Sequence, residues 1–256
     1  MLEWAIAEIL LALGIKPFAV VESPYYRQRV IEPNLPDDVI DLGLRSQPNL
    51  ALLSRLKPDL IVGLSNYGPS MAMLSPIAPA LQFAVYGPER SPFARSLDAM
   101  ATLARRLGQE RAAGSAIFAA DQEFAALRQR LPSYDGRPVL IANFADDRRA
   151  DVFGAGSQFA EALLRLGIRN AYAGPTNSWG FATLGLDVLL RMESVRLVAL
   201  SPGVPQALRA SALWAAMPLV REQRVVTLPP VWVYGAWPSA LRFARLLVDA
   251  LGRAER

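Results

Sequence analysis

The sequence predicts an α/β protein of two Rossmann-like lobes with parallel-rich sheets, joined by one long helix. Three observations carry that expectation. Short apolar runs alternate with helix-periodic segments in the first and last thirds of the chain. Between them, residues 91–131 have no proline after Pro92 and keep Leu, Ala and Phe at helical spacing. Two segments also recur across this stretch. Glu8-Ile-Leu-Leu-Ala-Leu-Gly-Ile15 returns as Glu161-Ala-Leu-Leu-Arg-Leu-Gly-Ile168, with six identities in eight positions, and Leu50–Ser65 is matched more weakly by Leu186–Ser201. Helix, turn and strand repeated in the same order imply two related lobes.

The elements follow in order. Trp4, Ile6, Ile9, Leu10 and Leu13 cluster at helical spacing, and Gly14 closes that helix. Phe18–Val21 reads as a strand, and 22–37, with Pro24, Pro33 and Pro36, as a loop. Then come a strand at Val39–Leu42, a helix at Pro48–Leu56, a break at Lys57-Pro58 and a strand at Asp59–Ser65. A short helix near 70–75 and a strand at Leu81–Tyr86 complete the first third. The central helix of about forty residues would run ~60 Å at 1.5 Å per residue, longer than a small lobe is wide, with Gly108 and Gly114 as its places to bend. After Arg137-Pro138 the pattern is a strand at 138–144, Val152–Phe153, a helix at 157–166, a strand at 196–200, a helix at 205–215, a strand at 225–228 and a helix at 238–251. The expected boundaries are therefore an N-terminal lobe at 1–88, a connecting helix at 89–137 and a C-terminal lobe at 138–256. Two facing lobes form a cleft, a preferred place for a ligand.

Composition narrows the chemistry. The 256 residues are 52% hydrophobic and include no His and no Cys. That excludes disulfides, thiolate metal sites, a Ser-His-Asp triad, a histidine zinc site and a proximal haem histidine. All but Lys16 and Lys57 of the 27 basic residues are arginines, mostly a mark of codon usage. The net charge of +4 is scattered among carboxylates with no basic run, which disfavours nucleic acid. No uncharged apolar stretch of 18 residues occurs, and Glu3 and Glu8 interrupt what would otherwise resemble a secretory signal.

In α/β lobes, ligands sit on the loops beyond the carboxyl ends of strands. Such loops here carry Arg45, Tyr67, Trp179, Trp232 and Tyr234, with Trp237 close behind. Alternation puts Trp232 and Tyr234 on one face if Val231 and Val233 point inward. Arginine and phenol donors among aromatics suit an anionic oxygen cluster inside a bulky organic shell. Asp146 and Asp147 are the candidates for an enzyme with paired carboxylates, but adjacent residues diverge, and Asp-Asp-Arg-Arg reads as a solvated turn. There is no phosphate loop and no GxGxxG after the first strand.

The chain resembles the ferric-hydroxamate siderophore-binding proteins of ABC importers, a branch of the helical-backbone, two-lobed (class III) periplasmic binding proteins. The matching strings are Leu2-Glu-Trp4, Leu10-Leu-Ala-Leu-Gly-Ile15, Val39-Ile-Asp-Leu-Gly-Leu-Arg45, Pro48-Asn-Leu50, Tyr67-Gly-Pro-Ser70, Ile77-Ala-Pro79, Val152-Phe-Gly154, Trp214-Ala-Ala-Met-Pro218 and Val231-Trp-Val-Tyr-Gly-Ala236. The resemblance implies that Arg45 and Tyr67 hydrogen-bond iron-bound hydroxamate oxygens. It places Trp179, Trp232 and Tyr234 on an aromatic wall, Asn177 at a polar contact and Tyr172 in the same pocket. Arg29 stands where the family often has a tryptophan, and suits a more acidic ligand or solvent. Asp187 matches an acid that docks the permease, whereas Ala72 replaces its first-lobe counterpart. The implied protein is a periplasmic monomer without cofactor or resident metal, its cargo an iron(III) siderophore and its partner the permease. The chain opens at the family's Leu-Glu-Trp, so the lobe's first strand is expected to be missing. The alternatives are another chelate (cobalamin, haem or a carboxylate-type siderophore) or a binding module reused in the cytosol.

Overall fold

The computed structural model describes residues 1–88, 91–131, 134–192 and 194–254. The chain packs as two units, one of Met1–Gly87, Ser91–Ala119 and Trp232–Ser239, the other chiefly of Ala120–Val231 and Ala240 onward.

In the first unit, Glu3 lies in extended backbone and its carboxylate accepts from the Trp4 N–H at 2.9 Å, capping α1 (Trp4–Ala12). At the far end Gly14 takes φ 75° and the Ile15 N–H turns back to the Leu10 carbonyl at 2.9 Å. The proline-rich run 22–37 is not all loop. Pro24 stands in the first turn of α2 (Ser23–Arg29), where a missing N–H forfeits no helical bond. Asn49 caps α3 (Leu50–Arg55), its side chain accepting from the Leu52 N–H at 2.8 Å, and α4 is Met71–Leu74.

The strands of this unit form two parallel pairs, β1 (Ala19–Val20) with β2 (Ile40–Asp41) and β3 (Ile61–Leu64) with β4 (Ala80–Phe83). Met1-Leu2 lies between them. The Met1 amine donates to the Ala19 carbonyl at 2.6 Å, the Val21 N–H to the Met1 carbonyl at 3.2 Å and the Leu2 N–H to the Val62 carbonyl at 2.8 Å. Two residues thus bridge the pairs, and beside them opens a cavity of about 500 Å³ walled by Ile15, Phe18, Leu60, Leu103 and Leu107. Trp4, Val20, Tyr26, Leu42, Leu53 and Ile61 fill the core.

The long helical stretch is broken once. α5 (Pro92–Leu107) ends at Gly108, whose φ of 65° no helix interior allows, and α6 (Glu110–Gln129) restarts two residues later. Gly114 lies within α6. Residues 89–90 and 132–133 of the expected 89–137 connection lie outside the described residues.

The second unit holds a five-stranded sheet in the order β7-β6-β5-β8-β9. β5 (Val139–Phe144), β8 (Arg196–Ala199) and β9 (Val225–Thr227) pair in parallel, whereas β6 (Arg149–Phe153) pairs antiparallel with both β5 and β7 (Phe181–Gly185). The hairpin arises because Asp146 turns the chain. Its carboxylate accepts from the Arg148 and Arg149 N–H groups at 2.9 and 2.8 Å, and the bond from the Arg149 side chain holds its pKa below the usual range. Asp146 and Asp147 form a turn.

Ser157 caps α7 (Gln158–Leu166), which ends like α1: Gly167 has φ 74° and the Ile168 N–H reaches the Leu163 carbonyl at 2.8 Å. The repeated octapeptides therefore fold alike. The weaker pair also coincides, α3 and β3 with α8 (Leu186–Leu190) and β8. The helix expected at 205–215 is α9 (Gln206–Arg209) and α10 (Ala212–Ala216), separated where the Ser211 hydroxyl accepts from the Trp214 N–H and starts a new cap. α11 (Pro218–Arg221) and α12 (Trp237–Ala254) complete the chain.

Candidate functional site

In the first unit Arg45 organises the candidate site. Its loop follows β2, and its side chain is 19% exposed. Nε donates to Glu22 Oε2 at 2.9 Å, its backbone N–H approaches Glu22 Oε1 at 3.3 Å, and Nη1 lies 3.6 Å from Glu3 Oε1. Glu22 reaches it from a left-handed turn, φ 47°, which costs a non-glycine residue about 1 kcal/mol and aims the carboxylate at both Arg45 donors. The guanidinium carbon stands 4.3 Å from the Trp4 ring centre, 4.7 Å from that of Trp232 and 5.9 Å from that of Tyr67. Such contacts favour a planar cation over a ring face. Five N–H donors in a fixed fork exceed what the two carboxylates take up.

Tyr67 is half-buried on the loop after β3, where Leu64 and Tyr67 form an isolated bridge and Gly68 takes φ 83°. Trp232 and Tyr234 sit in a turn rather than a strand, so they do not follow period-two alternation. Val231 and Trp232 are both buried, and Trp232 and Tyr234 meet edge to face at 5.6 Å. Trp232 also packs against Trp4, the ring centres 4.6 Å apart and the planes tilted by 60°, and the Trp4 indole N–H donates to the Val21 carbonyl at 2.8 Å. Arg45, Tyr67, Trp232 and Tyr234 are thus gathered in one unit. Arg29 is exposed in the last turn of α2, and Ala72 is exposed on α4.

The second unit gathers Tyr172, Asn177 and Trp179 on the loop leading into β7. Asn177 Oδ1 accepts from the N–H of Trp179 at 2.9 Å and of Phe181 at 3.3 Å, which shapes the turn presenting Trp179. Tyr172 folds back over Gly154 and donates to the Pro175 carbonyl at 2.9 Å. Gly180 adopts φ 82°, and a Cβ there would stand 2.3 Å from the Ser157 nitrogen. Gly180→Ala is therefore expected to destabilise the fold by about 3 kcal/mol, roughly 6–12 °C in Tm, because backbone cannot move aside. A thermal melt within 2 °C of the parent protein would refute that reading. Asp187 is exposed in the first turn of α8, 3.8 Å from Arg191.

Sequence reasoning did not find Glu3, Glu22 and Trp4 as partners of Arg45. The one signal for them was Glu-Trp at the start of a matching string, since Glu22 lies in a stretch read as loop. Burial raises the Glu3 carboxyl above the ordinary range, and the nearby Arg45 charge opposes that rise. Among the described residues no group of three or more carboxylates is arranged to hold a metal ion.

The periplasmic binding protein family description matches residues 1–231. The chain is 39% identical over 254 residues to the iron(3+)-hydroxamate-binding protein FhuD of Escherichia coli (strain K12), covering 98% of this chain and 86% of that protein. The crystal structure of Fe3+-Desferal-bound FhuD from Vibrio cholerae superposes with TM-score 0.90 at 29% identity, covering 99% and 97% of the two chains. FhuD2 from Staphylococcus aureus with bound ferrioxamine B shares the fold at TM-score 0.74 and 16% identity, over 100% and 98%. A family match across most of the sequence and a full-length relative at this identity establish that the chain belongs to the periplasmic binding protein family.

Proposed function

We propose that this chain captures an iron(III)-hydroxamate siderophore outside the cytoplasm and delivers it to the permease of an ABC importer. The observation that carries the reading is the Arg45 cluster, a clamped guanidinium framed by Trp4, Trp232 and Tyr67. Three hydroxamates neutralise Fe(III), yet their oxygens remain strong acceptors for an arginine fork and a phenol. The chelate supplies every iron ligand, so the protein acts as a binding protein, with no catalytic step and no cofactor. Its relatives named for iron(3+)-hydroxamate and bound to Fe3+-Desferal support this cargo.

Within this reading Arg45 and Tyr67 donate to the chelate oxygens, while Trp232, Tyr234, Trp179 and Tyr172 cover its organic shell. Asn177 adds a polar contact, and Arg29 meets an acidic arm where the siderophore has one. Asp187, exposed on α8, docks the permease, and the protein works as a periplasmic monomer.

Five tryptophans make the test direct. Titration with the ferric trihydroxamate ferrioxamine B is expected to quench their fluorescence saturably, with Kd in the micromolar range or below. The same ligand at a hundredfold excess over Kd should stabilise the fold by about 2.7 kcal/mol. Folded protein showing neither quenching nor a rise in Tm with any ferric hydroxamate would overturn the assignment.

A further inference from the structure

We propose that Glu8 is a positioning residue for the aromatic side of the binding site: it clasps residues 232–239 so that Trp232 stands beside Arg45, with Tyr234 against it. This inference rests on the function proposed above.

Glu8 is fully buried on α1, one turn beyond Trp4 and on the same helix face. Its Oε2 accepts from the Ala236 N–H at 3.2 Å and the Ser239 N–H at 3.0 Å, and its Oε1 from the Ser239 hydroxyl at 2.9 Å. Two neighbours complete the fastening. Tyr86 donates to the Gly235 carbonyl at 2.7 Å, and Ser96 Oγ accepts from the Trp237 N–H at 3.1 Å. Gly235 is pressed so close that a Cβ would lie 2.7 Å from Glu8 Oε1 and 2.4 Å from the Ser239 side chain. One face of α1 therefore holds both ends of the segment: Trp4 packs against Trp232, and Glu8 anchors residues 236 and 239.

The internal repeat argues that this is a specialised use of the position. The equivalent Glu161 pairs with Arg165 at 3.0 Å, four residues on and partly exposed. In α1 the residue four beyond Glu8 is Ala12, so the carboxyl turns inward to backbone donors instead. Such a clasp needs the hydrogen bonds rather than the charge. A glutamine satisfies the same partners, its oxygen accepting from the two N–H groups and its amide donating to the Ser239 hydroxyl.

The test compares Glu8→Gln, Glu8→Ala and Ser239→Ala in the whole protein. Ferrioxamine B affinity should stay within about threefold for Glu8→Gln, fall at least 30-fold for Glu8→Ala, and fall three- to tenfold for Ser239→Ala. Without ligand, the exciton circular dichroism of the closely packed, tilted Trp4–Trp232 pair should persist in Glu8→Gln and disappear in Glu8→Ala. Loss of that signal with no hydroxamate binding even by the parent protein would reject the function but keep the clasp. An unchanged signal and unchanged affinity in Glu8→Ala would overturn the clasp. If Glu8→Ala does not fold, parent-like signal and affinity in Ser239→Ala would overturn it equally.

Discussion

Arg45→Ala is expected to weaken ferric-hydroxamate binding at least 100-fold and to make stability fall more steeply as pH rises. Hydrogen bonds from an ionised donor contribute about 1.5–3 kcal/mol each, so losing a two-pronged contact removes at least two decades of affinity. The stability effect comes from Glu3, buried at 3% exposure beside the guanidinium. Burial already raises its carboxyl, and Arg45 is the largest influence holding it down. Without Arg45 the folded pKa climbs further above the unfolded value. The folded state then keeps a proton that the unfolded chain has released, so stability declines as pH rises through that window. Denaturant unfolding from pH 4.5 to 8 should show the deficit of Arg45→Ala widening with pH, by up to about 3–5 kcal/mol for an uncompensated buried charge. Arg45→Lys keeps a cation but loses the fork, so it should remain stable while binding about tenfold more weakly. A pH profile for Arg45→Ala parallel to that of the parent would show that Arg45 does not set the charge of Glu3.

Much of this was legible in the chain, for identifiable reasons. α1 and α7 announced themselves because apolar spacing and a terminal glycine agree at both places. β3, β5 and β8 are buried along most of their length and therefore read as continuous apolar runs. Arg45 and Tyr67 stand out in the sequence because a loop after a strand exposes polar chemistry, and the structure brings the two side chains together. What escaped notice depended on tertiary partners. α2 was hidden by prolines, one of which begins it, and β7 runs through Phe181–Gly185, a weakly apolar stretch ordered by pairing with β6. Periodicity could not foresee the turn at Trp232–Tyr234, because its geometry is imposed by Glu8, Tyr86 and Ser96 from distant parts of the sequence. Glu8 itself looks like one polar residue in an apolar helix, identical in sequence to the partly exposed Glu161.

The segment 232–239 has a consequence for how such a protein can be recombined. It belongs by packing with residues 1–87, although about 145 residues of chain separate them. A chimera that exchanges N-terminal lobes between relatives at a single crossover would inherit Trp4 and Glu8 from one parent and their partners Trp232, Ala236 and Ser239 from the other. Transplanted ligand preference should therefore follow a discontinuous module, the N-terminal lobe together with 232–239, and selection on that preference would act on both stretches as one inherited unit.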